Sequence, residues 1–212
     1  MKTMTYFLSL VFSFALVSDL KARDRTEIVE NAAQVSPILI GETIPAVTLF
    51  DAKGTPFNLL EKAAEKPTIL LFYRGGWCPF CNAQLSQIQK VEKQIRDLGY
   101  QLIAISPDTP DALKKAMSDK DLDYQLASDF ALDAIRQFGL GFYIPKSYSD
   151  RVASVGGKTQ SIEGDERSIL PVPAVFILDQ KGVIQFEYVN PNFRVRIKPE
   201  LLLDAARYAL EE

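Results

Sequence analysis

Residues 68–81 of this 212-residue chain read Thr-Ile-Leu-Leu-Phe-Tyr-Arg-Gly-Gly-Trp-Cys-Pro-Phe-Cys. The run Thr68–Tyr73 is continuously apolar and of strand length, as expected for a strand that is covered on both faces. After a short loop, apolar residues recur every three or four positions as far as Gly99, which predicts a long helix. A second apolar strand follows at Leu102–Ile105, so this stretch predicts a βαβ unit with parallel strands.

Turn signals and periodicity extend the unit in both directions. They predict two hairpins, Ala46–Leu49 with Pro56–Leu59 and Val175–Leu178 with Val183–Tyr188, and a strand at Tyr124–Ala127. They also predict three helices: from Pro110 to about Met117, from the cap Ser128-Asp129 to Phe138, and over Glu200–Leu210. The Gly/Ser-rich, weakly periodic stretch Gly141–Leu170 is predicted to be a functional loop or a flexible insertion. The predicted fold class is α/β, with a mixed central sheet, helices on both faces and an N-terminal β-hairpin extension.

The composition excludes several classes of function. The formal net charge is −3, which offers no basic surface for nucleic acid. The chain has no histidine, so Ser-His and Cys-His nucleophile pairs and histidine-ligated zinc are excluded. It has two cysteines, Cys78 and Cys81, too few for a four-thiolate metal site within one chain. No cofactor is implied.

The two cysteines lie where the predicted strand turns into the predicted helix. Proline is favoured at the first helical position, so Pro79 puts Cys78 at the N-cap and Cys81 at the third helical position. An N-cap sulfur there is expected to accept hydrogen bonds from the amides of the first turn, and the helix dipole favours its thiolate. Arg74 adds positive charge if its side chain folds back. We therefore expect a lowered pKa for Cys78, a nucleophilic thiolate, and a second thiol placed to close a disulfide.

Two other interpretations of the cysteine pair stay open at this point. Four thiolates shared between two chains would make a metal site, and two inert buried cysteines would have no chemical role. A structural staple explains the pair poorly, because a disulfide across two intervening residues closes too small a loop to add much stability. The position of Cys-x-x-Cys at a strand-to-helix turn, directly after Trp77, favours redox chemistry.

The N-terminal residues predict export. One positive charge, Lys2, precedes an apolar core at Tyr6–Val17, which has the length of a secretory signal and is short for a membrane span. We expect a signal peptide over residues 1–22, with Ser13-x-Ala15, Ser18 or Ala22 as candidate cleavage ends. An N-terminal helix of the fold and an uncleaved anchor are the alternatives. Export implies a periplasmic or secreted protein without a membrane span after signal removal, in a compartment where paired thiols become oxidised.

Several segments in the right order resemble a known family. Residues 77–81 resemble the active site of the thioredoxin superfamily, and the wider frame resembles the peroxiredoxin-like proteins of the AhpC/TSA (redoxin) group. The matching segments are Gly41–Pro45, Phe72–Trp77, Ser128-Asp129 and Leu170–Asp179. The resemblance runs from Gly41 to about Leu210 and implies a thioredoxin-like fold. It divides the chain into the signal peptide (1–22), a lead-in segment (23–40) and a thioredoxin-like, peroxiredoxin-like domain (41–212).

The chain departs from that family at the site itself. Peroxiredoxins carry a Pro-x-x-x-Thr-x-x-Cys segment, and on this frame Cys81 takes the place of the peroxide-reactive cysteine, Cys78 that of the threonine and Arg74 that of the proline. Pro173 stands near the position of the family's later arginine. In thioredoxin-like enzymes that position is a cis-proline facing the Cys-x-x-Cys pair, a role that Val172-Pro173 fits; an ordinary trans proline is the alternative.

The resemblance implies an antioxidant thiol enzyme that reduces hydroperoxides through a dithiol and disulfide cycle. It also implies a thiol electron donor such as a thioredoxin-like protein. The alternatives are an exported thiol-disulfide oxidoreductase acting on protein disulfides and a non-catalytic thioredoxin-like binding domain. The candidate catalytic residues are Cys78 and Cys81, supported by Arg74, Trp77, Pro79 and Pro173. Cap chemistry favours Cys78 as the attacking sulfur, whereas the peroxiredoxin frame favours Cys81.

Overall fold

The computed structural model describes residues 24–120 and 122–210, and the predicted signal peptide lies outside them. A short 3-10 helix at Ala32–Gln34 precedes the regular elements. In chain order these are β1 (Thr48–Phe50), β2 (Pro56–Asn58), α1 (Leu59–Glu65), β3 (Thr68–Phe72), α2 (Pro79–Asp97), β4 (Gln101–Ser106), α3 (Pro110–Lys120), β5 (Gln125–Ser128), α4 (Asp133–Gln137), β6 (Gly141–Ile144), α5 (Lys146–Ser154), β7 (Ser168–Pro171), β8 (Ala174–Leu178), β9 (Ile184–Val189) and α6 (Pro199–Tyr208).

A seven-stranded mixed sheet organises the molecule, with the order β2-β1-β5-β4-β3-β8-β9. Strand β3 lies in its interior, parallel to β4 and antiparallel to β8, and all five of its residues are buried. Strands β4 and β5 are also parallel, whereas the hairpins β1–β2 and β8–β9 are antiparallel. The predicted fold class, βαβ unit and both hairpins are confirmed.

The two faces of β3 belong to two separate cores. Ile69, Leu71 and Tyr73 lie in the core that α2, α3 and α6 cover, while Leu70 and Phe72 lie in the core that α1 and α4 cover. This alternation follows from the two-residue period of a strand. A helix layer on each face explains why the strand is apolar throughout rather than at every second residue. The Cys-x-x-Cys turn leaves the sheet on the side of the first core.

The region Gly141–Leu170 contains two strands and a helix, regular elements that its weakly periodic sequence does not predict. Strands β6 and β7 pair as a separate antiparallel sheet, from Gly141 opposite Pro171 to Ile144 opposite Ser168, and α5 lies between them in the chain. We call residues 141–171 the insertion. The lead-in segment joins it through a parallel bridge between Val29 and Phe142. Its strands have only four residues each, too few to show a period in a Gly- and Ser-rich sequence.

The helix α4 begins later than its predicted cap. Asp129 does supply the capping group: its carboxylate accepts hydrogen bonds from the amides of Ala134, at 3.1 Å, and Ile135, at 2.7 Å. A turn intervenes, in which the Leu132 amide donates to the Asp129 carbonyl and Leu132 adopts a φ of 64°. The side chain therefore caps α4 from outside its first residue. Across the described ranges, no helix has the length and apolar character that a membrane crossing requires.

Candidate active site

A rigid turn connects β3 to α2 and directs the chain toward the two cysteines. Gly75 has a φ of 139°, and a methyl group on it would lie 2.4 Å from Nε1 of Trp77, so only glycine fits there. The Gly76 amide donates to the Asp108 carboxylate at 2.7 Å, and the Cys78 amide donates to the Gly75 carbonyl at 3.1 Å. The first contact ties the turn to the segment after β4, and the second lies within the turn itself.

Cys78 is the N-cap residue of α2, and Pro79 is its first helical residue, as the sequence predicts. The Cys78 carbonyl accepts the first helical hydrogen bond, from the Asn82 amide at 3.0 Å. The Cys78 side chain, however, makes no capping hydrogen bond of normal geometry, so the expected acceptance from the Phe80 amide is wrong, while the Cys81 amide still helps to lower the pKa of Cys78. The strongest influence on this sulfur is the Cys81 thiol instead.

Both thiols are free and both are buried, with Cys78 only 1% exposed and Cys81 fully enclosed. The pKa of Cys78 is lowered to about 6, because the Cys81 thiol donates a hydrogen bond to its sulfur; burial opposes this, and the Cys81 amide, Arg74 and Arg196 add to it. Burial and the neighbouring Cys78 sulfur raise the pKa of Cys81, against the opposing charge of Arg196. The pair therefore holds its negative charge on Cys78.

The Arg74 side chain is folded into the site, as the sequence analysis anticipated. It is 2% exposed, and its guanidinium carbon lies 4.1 Å from the ring centre of Phe193, 5.1 Å from Tyr148 and 5.3 Å from Trp77. Its Nη2 donates a hydrogen bond to the Tyr148 hydroxyl. Contact with three aromatic faces stabilises a buried cation whose charge favours the Cys78 thiolate.

A second arginine, which the sequence analysis missed, contacts the other sulfur. The Nη2 atom of Arg196 lies 3.4 Å from Sγ of Cys81. Its Nη1 donates to Gln84 at 3.0 Å, and its Nε donates to the Phe193 carbonyl at 2.8 Å. Arg196 lies in the segment between β9 and α6, 115 residues from Cys81 in the chain, and no local motif marks it. A basic residue in a loop with no regular pattern gives no sign of a partner so distant.

Trp77 joins the turn to the insertion. Its ring packs edge-on against Tyr148 at 6.5 Å, and a methyl group on Gly157 would lie 2.6 Å from its Cγ atom. The insertion thus packs directly on the candidate site. Trp77 and Gly157 also line a cavity of about 550 Å³ together with residues of α2 and α3, and neither cysteine lines it.

Pro173 lies near the start of the turn, but its peptide bond is trans. It directly precedes Ala174, which pairs with Phe72, so Pro173 sits beside the end of β3. No cis peptide occurs within residues 24–120 and 122–210, so the expectation of a cis-proline is wrong. The chain stays extended here because the Val172 amide donates to the Leu140 carbonyl and the Pro173 carbonyl accepts from Asn190.

No group of three or more His, Cys, Asp or Glu side chains in the described part of the chain is arranged to hold a metal ion. The site residues are two sulfurs, two guanidiniums and aromatic rings. This set suits sulfur redox chemistry, because a thiolate near cations is a nucleophile and a second thiol in contact with it can form a disulfide.

Comparison with known proteins identifies the family of the chain. The AhpC/TSA family model matches residues 40–187. Putative peroxiredoxin bcp of Haemophilus influenzae is 28% identical over 106 residues, half of this chain and 68% of that protein. Thiol-disulfide oxidoreductase ResA of Bacillus thuringiensis is 25% identical over 128 residues, 60% of this chain and 71% of that protein. The crystal structure of peroxidoxin BcpB from Mycobacterium tuberculosis aligns at a TM-score of 0.62 and 19% identity, covering 82% of this chain and 98% of that one.

The structural match and the sequence matches support different conclusions, the first about the fold and the second about the chemistry. At 19% identity the structural match establishes the thioredoxin-like fold of peroxiredoxins and nothing finer. The sequence relatives are peroxiredoxins and thiol-disulfide oxidoreductases, so the chain is an oxidoreductase and the non-catalytic binding domain is set aside. With the family model matching well over half of the sequence, the chain belongs to the AhpC/TSA family.

Proposed function

We propose that this protein is a thiol peroxidase that reduces hydroperoxides, with Cys78 as the attacking sulfur and Cys81 as the resolving sulfur. The observation that carries the proposal is the inequality of the two sulfurs. The pKa of Cys78 is lowered to about 6, whereas that of Cys81 is raised. At neutral pH the pair holds one thiolate, which is the reactive form, and one thiol in reserve.

The proposed cycle has two steps and a reduction. The Cys78 thiolate attacks one hydroperoxide oxygen, the O–O bond breaks, and the departing alkoxide takes a proton from solvent to leave as an alcohol. Cys78 is then a sulfenic acid, oxidised by two electrons. The Cys81 sulfur attacks the Cys78 sulfur, an S–S bond forms, the S–O bond breaks, and hydroxide leaves with the Cys81 proton as water. A thiol donor, which we propose to be a thioredoxin-like protein, returns two electrons to the disulfide.

The burial of Cys78 favours a small oxidant over a protein disulfide. Only 1% of the residue is exposed, so little space is left beside the sulfur for a reacting group. A hydroperoxide presents two oxygen atoms at the end of a small molecule. A protein disulfide must bring a second polypeptide to the same sulfur, which requires the surrounding segments to move first. The small substrate therefore fits the reduced enzyme better.

The test is the rate at which hydrogen peroxide oxidises the reduced protein in a stopped-flow instrument. Trp77 is the single tryptophan of the chain and directly precedes Cys78, so its fluorescence reports the oxidation of that cysteine. We expect a second-order rate far above that of free cysteine, rising with pH to a plateau with a midpoint near 6, as the lowered pKa of Cys78 requires. A rate no faster than that of free cysteine would remove the peroxidase function.

Exchange with protein disulfides is the second candidate. It is favoured by the lowered pKa of the first cysteine in Cys-x-x-Cys and by the similarity to ResA. If it is the principal activity, the reduced protein will reduce insulin disulfides faster than it reacts with peroxide. The variant Cys81→Ser will then accumulate a mixed disulfide on Cys78. A fast peroxide reaction without insulin reduction would exclude this candidate.

We also propose that the enzyme works outside the cytoplasm, in the periplasm or as a secreted protein. The apolar segment at residues 6–17 supports this location. The test is N-terminal sequencing of the protein purified from its native cells. A chain that begins near Ala22 supports export with cleavage, and a chain that keeps residues 1–17 and stays in the cytoplasm contradicts it.

A further inference from the structure

A polar contact joins the insertion to the candidate site. Tyr148, near the start of α5, accepts a hydrogen bond at its hydroxyl from Nη2 of Arg74. The two residues are 74 positions apart in the chain, so this contact joins the insertion to the turn that follows β3. The ring of Tyr148 also packs on Trp77 at 6.5 Å, which holds α5 against the same turn.

The Tyr148 hydroxyl is the polar anchor of the Arg74 guanidinium within the described residues. The Nε and Nη1 atoms of Arg74 are buried and have no hydrogen-bond partner there. The remaining contacts of the guanidinium are the faces of Phe193, Tyr148 and Trp77. Aromatic faces attract a cation but fix its direction weakly, whereas a hydrogen bond to a hydroxyl specifies where one nitrogen points. The orientation of Arg74 therefore depends on Tyr148.

We propose that Tyr148 is a positioning residue: its hydroxyl holds the Arg74 guanidinium where the positive charge acts on the Cys78 sulfur, and the insertion is thereby a working part of the active site. The proposal rests on the proposed role of Cys78 as the attacking sulfur. It assigns the insertion a purpose that its sequence does not indicate.

The other groups around Cys78 limit the size of the effect. The Cys81 thiol donates to the Cys78 sulfur, and Arg196 adds positive charge from the segment before α6. Tyr73, at the end of β3, is fully buried with a pKa raised well above its usual value, and Asp108 is held by the Gly76 amide. Tyr148 affects only the contribution that Arg74 makes to stabilising the Cys78 thiolate. Loss of its hydroxyl should therefore weaken thiolate formation without abolishing it.

The experiment is the pH dependence of Cys78 alkylation by iodoacetamide, followed by mass spectrometry of the Cys78 peptide. In Tyr148→Phe the ring remains and the hydroxyl is lost, so we expect the midpoint to move upward by about 0.5 to 1 unit. Tyr143→Phe is the matched control, because it removes a hydroxyl from the same insertion where the ring lies over Arg167 rather than Arg74. Its midpoint should equal that of the wild type.

A double-mutant cycle separates positioning from general loosening of the site. In an Arg74→Met background, Tyr148→Phe should cause no further shift, since the charge it positions is gone. If Arg74→Met does not fold, Arg74→Gln serves in its place. An unchanged midpoint in Tyr148→Phe, or a shift of equal size without Arg74, overturns the proposal. Alkylation needs no peroxide, so it tests this inference separately from the peroxidase function. If the wild type reacts slowly with peroxide but Tyr148→Phe raises the midpoint of Cys78 alkylation, the proposed function is contradicted and this inference stands.

Discussion

At the scale of single residues, the two cysteines differ through their surroundings. Cys78 precedes the helix and receives the hydrogen bond of its neighbour, while Cys81 lies inside the first turn and is fully buried. Two arginines act on the pair: Arg74 acts on Cys78, while Arg196 contacts Cys81 and also adds to the lowering of the Cys78 pKa. Positive charge thus acts both on the sulfur that we propose reacts first and on the sulfur that we propose closes the disulfide.

Arg196 contacts Cys81 and adds less to the lowering of the Cys78 pKa, so its removal should slow the second chemical step more than the first. Its guanidinium lowers the pKa of Cys81 against burial, so Arg196→Met leaves fewer Cys81 thiolates to attack the oxidised Cys78. We expect disulfide formation after one equivalent of peroxide to slow by about three- to tenfold, since one pKa unit changes the thiolate fraction tenfold. Quenched-flow alkylation followed by mass spectrometry measures this rate.

Arg194→Met is the control for Arg196→Met. Arg194 lies in the same segment, exposed over the rings of Phe80 and Phe193, at 5.9 and 5.7 Å, and forms no hydrogen bond to either sulfur within the described residues. It should close the disulfide at the wild-type rate. Equal rates in the two variants would mean that Arg196 does not act on Cys81.

At the scale of elements, helix starts decide where side chains point. Pro79 starts α2 immediately after Cys78 and so fixes the positions of both sulfurs. The Asp129 carboxylate caps α4 from outside the helix by accepting two amide hydrogen bonds. This short helix places Ala134 and Ile135 in the core that α1 and α4 cover. The carboxylate is almost fully buried, and that burial raises its pKa to about 7 against the effect of the two amides.

The raised pKa of Asp129 makes a specific prediction for stability. Between its unfolded pKa of about 3.9 and its folded pKa of about 7, the folded state binds a proton that the unfolded state has released. The contribution of Asp129 to stability therefore falls as pH rises through this window. Urea unfolding at pH 5 and pH 8 should show Asp129→Asn gaining stability relative to the wild type at the higher pH.

The variant Asp129→Ala distinguishes the cap from the titration. It removes both hydrogen bonds to α4, so we expect a loss of about 1 to 2 kcal/mol at pH 5, where the wild-type carboxyl is protonated. The free energies of unfolding of the wild type and Asp129→Asn are compared at pH 5 and pH 8. If their difference stays constant or moves the opposite way, the carboxyl does not titrate in this range.

At the scale of the whole molecule, the parts that sequence predicts are those with local signals. Apolar runs and a helical period predict the unit β3–α2–β4, and turn residues predict both hairpins. Pro79 likewise identifies the helix start and the N-cap position of Cys78 from adjacent residues alone. These features depend on contacts between neighbours in the chain, so the sequence contains enough information to place them.

The features that sequence missed depend on distant contacts. Arg196 reaches Cys81 across 115 residues, and Tyr148 reaches Arg74 across 74. Tertiary packing, which no local pattern encodes, decided each of these.

The measurement that tests the central claim most directly is the site of first oxidation. Reduced Cys81→Ser and Cys78→Ser are each mixed with one equivalent of hydrogen peroxide, trapped with dimedone and mapped by mass spectrometry. If the lowered pKa of Cys78 marks the attacking sulfur, Cys81→Ser forms the sulfenic acid adduct on Cys78 rapidly and Cys78→Ser stays unreacted. Rapid adduct formation on Cys81 in Cys78→Ser, with Cys78 inert in Cys81→Ser, would contradict the account and assign the attack to the other sulfur.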